Sequence, residues 1–254
     1  MRWFATLALL ASLLLPRATI AGERTVDLAL VLLTDVSRSV DGQEYALMKE
    51  GYATALTDPR VLAAITGGPQ AAIAIRYVEY AGAHEVRTLV DWTVVHDAAS
   101  AQDFAQRVKA APRAFWGRTS ISAGIEHAMA ALARDLPAAG IEATRHVIDI
   151  CGDGTNNSGR EITAARDEAV AAGITLNALV ILSDPDDPRA ANPWIASHVN
   201  PPGGLTQYFR ENVIGGLGGF ALEVEDFVSF GQGITRKLIT EIAGAPRPRF
   251  ARAK

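Results

Sequence analysis

The stretch that decides the fold is 26–39, which reads VDLALVLLTDVSRS. Its first part is almost wholly apolar and β-rich, broken only at Asp27, as is typical of a central strand that is covered on both faces. Polar residues follow directly at Asp35, Ser37 and Ser39. Alternate side chains of an extended chain point the same way, so these three side chains are predicted to converge on one point.

Outward from this stretch, apolar runs alternate with helical patterns. The predicted strands cover 26–33, 71–80, 85–92, 146–152, 174–182 and 220–224. Polar and apolar residues alternate in 85–92, which indicates a half-exposed, antiparallel edge strand. We therefore expect an α/β fold: a doubly wound, mostly parallel six-stranded sheet with one antiparallel edge strand and helices on both faces, similar to a Rossmann fold.

Residues 1–21 are predicted to be a secretory signal peptide. A basic residue at Arg2 precedes the apolar run 3–15, and small residues at Thr19 and Ala21 end the segment. The run is shorter than the roughly 20 apolar residues that a membrane helix needs. We therefore expect export to the periplasm or the extracellular space, without stable membrane insertion.

The rest of the chain is predicted to be one domain over 22–244, with a disordered tail at 245–254. A proline-rich insertion is predicted at 184–219. It follows the carboxyl end of a buried strand, which is the ligand face of open α/β sheets. The sequence leaves the oligomeric state open.

Composition narrows the possible partners. The chain has 24 basic and 28 acidic residues and a net charge of −4, which argues against a nucleic-acid partner because phosphate neutralisation needs surplus Lys and Arg. Cys151 is the only cysteine, so an intramolecular disulfide is impossible. Its place in an apolar strand predicts a buried core thiol.

Two further loops should lie beside the first one. The run 117–120, Gly-Arg-Thr-Ser, precedes a predicted helix and offers the hydroxyl of Thr119. The run 152–154, Gly-Asp-Gly, follows a buried strand and offers the carboxylate of Asp153. Hydroxyls and carboxylates are hard oxygen donors, which suit Mg²⁺, Mn²⁺ or Ca²⁺.

The order D-x-S-x-S, then G-x-T before a helix, then Asp-Gly after a buried strand resembles the metal-ion-dependent adhesion site of von Willebrand factor A domains. The resemblance covers about 26–244, and the long loop after Leu182 is its main departure. The run 147–154 and the pair Asn156-Asn157 further resemble an exported bacterial branch of this superfamily whose function is not established.

The resemblance implies an octahedral Mg²⁺ or Mn²⁺, with Ca²⁺ less favoured. The implied metal ligands are Asp35, Ser37, Ser39, Thr119 and Asp153. One coordination position would stay open for an acidic side chain of a partner. The leading hypothesis is therefore an exported adhesion-type module that captures a protein or another carboxylate-bearing ligand.

Two alternatives stay open. A Mg²⁺-dependent phosphatase of the haloacid dehalogenase type would use Asp35 and Gly152-Asp153-Gly154 as its first and last motifs, but Ser37 and Asn157 stand where that family has acids. The other alternative is a degenerate domain that keeps the fold and binds no metal.

Single residues are weaker indicators than the set. Trp116, Arg118 and Asp184 are candidate ligand contacts around the predicted metal, although Trp116 could be a packed loop residue and Asp184 part of a solvated turn. Asp149, inside an apolar strand, is predicted to be a paired structural acid near Arg145 or His146.

Overall fold

The computed structural model describes residues 24–182 and 192–244. The strands are β1 Arg24–Val26, β2 Leu28–Asp35, β3 Ile73–Tyr80, β4 Val86–Val95, β5 Ile141–Ala143, β6 His146–Gly152, β7 Thr175–Ile181 and β8 Ala221–Val224. The helices are α1 Gly42–Leu56, α2 Pro59–Thr66, α3 Ala98–Ala110, α4 Ile121–Ala130, α5 Leu136–Ala138, α6 Ile162–Ala171, α7 Pro193–Val199, α8 Leu205–Asn212 and α9 Phe230–Ala243. A π-helical turn, Ala131–Asp135, joins α4 to α5.

The main sheet has six strands in the order β4-β3-β2-β6-β7-β8. All neighbouring strands in it run parallel except the edge pair β3 and β4, which is antiparallel. A separate two-stranded parallel sheet joins β1 to β5. The predicted mostly parallel sheet with one antiparallel edge strand is therefore confirmed.

Strand β2 supplies the core on both faces of the sheet, and all of its residues are buried. Leu28, Leu30 and Leu32 belong to the cluster that also contains core residues of α1, α2, α3 and α9. Ala29, Val31 and Leu33 belong to the cluster on the α4, α6 and α8 side. The unbroken apolar run therefore reflects helices on both faces of the sheet.

The segment 184–219 is only partly an addition on the predicted ligand face. Its helix α8 buries Leu205 and Phe209 in the core with residues of α6 and β7. This helix supplies the crossover that the parallel strands β7 and β8 require. Helix α7, by contrast, brings His198 to the loops at the carboxyl ends of the strands.

Several predictions fall outside the described residues, namely the signal peptide at 1–21, Asp184 and the tail at 245–254. Between 24 and 244, no described helix is long and apolar enough to cross a membrane.

Candidate metal centre

Three loops meet where β2 and β6 end. Asp35 is the last residue of β2, and Asp153 follows the last residue of β6. These two strands are parallel neighbours, so their carboxyl ends lie at the same edge of the sheet. The Ser39 hydroxyl donates to Asp153 Oδ1 at 2.8 Å and lies 3.1 Å from Ser37 Oγ. Four of the five predicted ligands thus stand at this edge, and side-chain contacts join Ser37, Ser39 and Asp153 directly.

Asp35 is buried, and only one of its two carboxylate oxygens accepts a hydrogen bond from the described residues. Its side chain is 1% exposed, and Oδ1 accepts the backbone N–H of Ser37 at 2.7 Å. Its Oδ2 atom is buried and has no hydrogen-bond partner among the described residues. Burial, followed by the charge of Asp153, raises the pKa of Asp35 to about 8. A buried carboxylate oxygen without a partner is costly, and a cation would remove that cost.

The spacing of the donors also suits a cation. Adjacent ligands of an octahedral Mg²⁺ stand about 3 Å apart, because each Mg–O bond is about 2.1 Å long. The separations from Ser39 Oγ to Asp153 Oδ1 and to Ser37 Oγ, 2.8 and 3.1 Å, are hydrogen-bond lengths that also match this spacing, so a cation would not require these oxygens to move apart. The described residues hold no cluster of three or more His, Cys, Asp or Glu side chains that could bind a metal. The candidate centre therefore depends on two carboxylates assisted by hydroxyls, as a hard cation prefers.

Gly152 keeps the floor of this centre open. A Cβ atom at this position would stand 3.0 Å from the hydroxyl of Tyr80 and 3.3 Å from Asp35 Oδ2. Any larger residue would therefore crowd the carboxylate. Tyr80 itself is buried, and burial raises its pKa well above 10, with the charges of Asp35 and Asp153 adding to the effect. The phenol thus stays neutral beside the two acids.

Thr119, the fifth predicted ligand, is held by the loop that carries Asp153. Its N–H donates to Asn157 Oδ1 at 3.0 Å, and its carbonyl accepts the N–H of Asn157 at 2.9 Å. Asn156 Oδ1 accepts the N–H of Ser122 at 3.0 Å in the first turn of α4. The Asn156-Asn157 pair therefore joins the Thr119 loop to the Asp153 loop.

Arg113 holds the first loop, and sequence reasoning missed it. Its Nη2 atom donates to the carbonyls of Val36, Ser37 and Val40 at 2.8, 2.9 and 2.8 Å. These bonds hold the D-x-S-x-S segment in its turn. No local pattern singles out Arg113, because these three carbonyls are 73 to 77 residues away along the chain.

Glu79, near the end of β3, anchors the backbone next to Arg113. Glu79 is fully buried and accepts the hydroxyl of Tyr45 at 2.8 Å and the N–H of Ala114 at 2.9 Å. Lys49 Nζ lies 3.7 Å from the same carboxylate. The backbone next to Arg113 is therefore tied to β3 and α1.

His198, on α7, is the second residue that sequence reasoning missed. It is 8% exposed, with Nε2 at 3.1 Å from Thr119 Oγ1 and Nδ1 at 2.9 Å from Thr155 Oγ1. Burial, with Arg118 close by, lowers the pKa of His198 to about 4, so the ring is neutral at pH 7. A Cβ at position 154 would stand 2.3 Å from Nε2, so Gly154 makes room for the ring. A histidine so far along the chain from Thr119 carried no spacing signal.

Two of the predicted ligand contacts, Trp116 and Arg118, are exposed residues close to Thr119 in the chain. Trp116 is 61% exposed, and the Arg113 guanidinium lies 4.7 Å from its ring centre. Arg118 is exposed, and its Nε atom lies 3.5 Å from Asn157 Oδ1. The N–H of Arg38 donates to the carbonyl of Gly117 at 3.0 Å, which ties this loop to the first one. The role of Trp116 and Arg118 in binding stays a prediction.

Asp149 is paired, but not with the residues expected. Its Oδ1 atom lies 2.5 Å from Lys237 Nζ, and Lys237 also contacts Glu241 on α9. Arg145 instead donates to the carbonyls of Glu241 and Ile242 at the end of α9. The prediction of Arg145 or His146 as the partner was wrong, because packing of the distant helix α9 brings a lysine to β6.

Cys151 is the buried core thiol that its strand position predicted. Burial, with the charges of Asp149 and Asp35 adding to it, raises the pKa of the thiol well above its usual value. A thiol of this kind is a poor nucleophile.

Comparison with known protein families shows to which family the chain belongs. Residues 25–246 match the family described as protein of unknown function (DUF1194). The chain belongs to the DUF1194 family. Comparison of this DUF1194 protein with curated proteins gives no match.

Solved structures show which fold this DUF1194 protein has. Proximal thread matrix protein 1 (PTMP1) from the mussel byssus superposes with a TM-score of 0.60 at 15% identity over 88% of this chain and 50% of its own. A further PTMP1 structure, described as having a zinc-occupied MIDAS motif, gives 0.60 at 16% identity over 88% of this chain and 50% of its own. A von Willebrand factor type A protein from Catenulispora acidiphila gives 0.58 at 13% identity over 87% of this chain and 43% of its own. The fold is thus that of von Willebrand factor A domains, and the chain spans about half the length of PTMP1.

Proposed function

We propose that this DUF1194 protein is an exported binding module that captures an acidic group of a partner through a divalent cation. Asp35, Ser37, Ser39, Thr119 and Asp153 would hold the cation, and Mg²⁺ or Mn²⁺ fits these oxygen donors better than a thiophilic metal does. The cation, when bound, supplies an electrophilic centre with one coordination position for a carboxylate of the partner.

A single observation carries the proposal, namely the buried and unpaired Oδ2 atom of Asp35 beside a second carboxylate. Asp35 and Asp153 lie at the ends of two neighbouring strands, and burial, followed by the charge of Asp153, raises the pKa of Asp35. A structural acid would be expected to have a partner for both of its oxygens. The arrangement makes physical sense if a cation is the missing partner.

The comparisons support a binding role. One structure of the same fold, PTMP1, is described with zinc in its MIDAS motif. Another, with a TM-score of 0.54 at 14% identity, is the pilus adhesin SpaC from Lactobacillus rhamnosus GG, of which this chain covers 30%. Export is supported by the predicted signal peptide at 1–21 and by the byssus and pilus proteins that share the fold.

The pairing of the lysines argues against the phosphatase alternative. That mechanism would need a lysine beside the two aspartates. The three lysines among the described residues, Lys49, Lys109 and Lys237, pair with Glu79, with Glu50 and with Asp149 and Glu241. Since each of them is engaged elsewhere, we propose binding without catalysis.

The test measures metal binding first and partner binding second. Titration calorimetry with Mg²⁺ and with Mn²⁺ should show one site in the wild-type protein and none in Asp35→Ala. Asp103→Ala, at an exposed acid paired with Arg107, is the matched control and should bind as the wild type does. Absence of a site in the wild-type protein for both ions would refute the metal centre.

For the partner, immobilised protein is incubated with the exported fraction of the source cells in Mg²⁺ or in chelator. A protein retained only with Mg²⁺, and not by Asp35→Ala, is expected. If the partner is retained equally well with Mg²⁺, with chelator and by Asp35→Ala, capture through the cation is ruled out.

A further inference from the structure

His198 is built into the candidate metal centre from a segment that is distant in sequence. Its ring contacts the hydroxyl of Thr119 on one side and that of Thr155 on the other, at 3.1 and 2.9 Å. Its carbonyl accepts the N–H of Thr155 at 3.2 Å, and Gly154 leaves space for the ring. Asn157 Nδ2 also lies 3.2 Å from both ring nitrogens. His198 is therefore held between the loop of Thr119 and the loop that carries Asp153.

A threonine that binds a cation through its oxygen must place its proton elsewhere. The hydroxyl has one O–H donor and two lone pairs. If a lone pair faces the cation, the O–H points away and needs an acceptor, since Thr119 is buried. Both the N–H and the carbonyl of Thr119 are already bonded to Asn157. His198 Nε2 stands at hydrogen-bonding distance of the hydroxyl.

Taking the proposed cation site as given, we propose that His198 is a positioning residue of that site: its Nε2 atom accepts the Thr119 hydroxyl proton and turns the Thr119 oxygen towards the cation. Acceptors of this kind typically change metal affinity by 10- to 100-fold. The role fixes the ring tautomer, because an accepting Nε2 leaves the proton on Nδ1. That proton is donated to Thr155 Oγ1.

The same contacts link helix α7 to the metal. Cation binding favours the ring orientation that accepts from Thr119, and the ring and carbonyl of His198 hold α7 on the loop 153–157. By linkage, an interaction that strengthens metal binding is itself strengthened by the metal. The backbone of α7 should therefore exchange hydrogen more slowly when Mg²⁺ is bound, and this effect should vanish in His198→Ala.

The affinity test is a double-mutant cycle on the complete protein with Mg²⁺ as the probe. His198→Ala is expected to weaken binding about 10-fold or more, whereas His198→Gln, which keeps an acceptor, recovers part of the loss. Thr119→Val removes the hydroxyl, so His198→Ala should have no further effect in that background. His96→Ala, at a partly exposed histidine that pairs with Asp97, is the control and should change nothing.

The spectroscopic test reads the tautomer without any functional assay. In the Mg²⁺-bound protein, the ring carbon and nitrogen NMR shifts of His198 should report the proton on Nδ1. Thr155→Val, which keeps the histidine but removes the partner of that proton, should weaken Mg²⁺ binding less than His198→Ala does.

The outcomes separate the two proposals. If the wild-type protein binds neither Mg²⁺ nor Mn²⁺, the proposed function itself fails and the role of His198 fails with it. If the wild-type protein binds Mg²⁺ and His198→Ala binds equally well, only the role of His198 is refuted. Additive losses in the double variant, or a proton on Nε2 in the metal-bound protein, would refute that role as well.

Discussion

At the scale of single residues, the free energy needed to keep Asp35 ionised in the fold is the main electrostatic feature of the candidate centre. Its pKa rises from 3.8 to about 8, mainly through burial and then through the charge of Asp153. A raised folded-state pKa means that folding favours the protonated acid. The contribution of this residue to stability is therefore complete below about pH 4 and is lost as the pH rises through about 8.

Asp35→Asn should therefore stabilise the metal-free protein at pH 8, because the amide stays neutral at every pH. We expect the free energy of unfolding to increase by an amount on the order of 2 kcal/mol. The raised pKa alone, at ~1.4 kcal/mol per pKa unit, would permit more, but the amide must also be buried. The same variant should lose the stabilisation by Mg²⁺, which is about 2.7 kcal/mol at 100 times the dissociation constant. Urea unfolding with chelator and with Mg²⁺ measures both effects.

Asp103→Asn serves as the control, since this exposed acid pairs with Arg107 on the surface of α3. It should alter neither the metal-free stability at pH 8 nor the response to Mg²⁺. A metal-free Asp35→Asn protein that is less stable than the wild type at pH 8 would contradict the assignment of this cost to Asp35.

At the scale of elements, a buried charge cluster fastens α9 to the sheet. Lys237 on α9 contacts Asp149 on β6 and Glu241 on its own helix, and all three side chains are buried. Asn177 on β7 donates to Glu241 Oε1 at 2.8 Å. Burial, followed by the charge of Asp149, raises the pKa of Glu241 to about 8. Lys237 thus pairs with both acids, and its removal would leave Asp149 and Glu241 without this cation.

Lys237→Met should destabilise the protein by about 3–5 kcal/mol at pH 8, because breaking a buried charge cluster leaves an uncompensated charge. The loss should be smaller at pH 5. The folded protein favours protonated Glu241, so its contribution is complete below about pH 4.5 and is lost as the pH rises through about 8. Denaturant unfolding at the two pH values measures the difference.

Arg236→Met, at the exposed neighbouring position on α9, is the matched control. We expect a change within about 0.5 kcal/mol at either pH, as is usual for surface positions. An equal loss for Lys237→Met at pH 5 and pH 8 would show that packing, and not charge, dominates at this position.

At the scale of the whole molecule, the topology gathers loops that are far apart in the chain. Three backbone hydrogen bonds join them at 2.9–3.2 Å. They run from Arg38 to Gly117, from Asn157 to Thr119 and from Thr155 to His198. The loops of Asp35, Thr119 and Asp153 would share one cation. These hydrogen bonds should then open together, because moving any one loop away would break the coordination of the cation.

Hydrogen exchange of the amides of Arg38, Thr155 and Asn157 should therefore slow together when Mg²⁺ is added, by about 10-fold or more at saturation, which corresponds to at least about 1.4 kcal/mol. The amide of Ala139, which donates to Asp135 before β5, is the reference and should be unaffected. Slowing of one amide alone would indicate a local effect of the ion and would contradict a centre that is shared between loops.

Local patterns were enough to predict the fold. The apolar run of β2 and the alternation in β4 depend on which faces of a strand are covered, and this repeats every two residues along the chain. The parallel direction of most strands then follows from helices that alternate with strands. The segment 184–219 was harder to interpret, because its prolines concealed the core helix α8 with the buried residues Leu205 and Phe209.

By itself, the sequence determined the sheet and placed five oxygen donors at the ends of strands or the start of a helix, because spacing within a strand or turn is a local property. The binding roles of these donors stay predictions. Only the tertiary structure decided what surrounds them, namely Arg113 across the first loop and His198 against Thr119, and which cation pairs with the buried Asp149, namely Lys237. Each of these contacts joins residues more than 70 positions apart. Such pairings arise from the packing of helices on the sheet, which leaves no periodic signal in a single sequence.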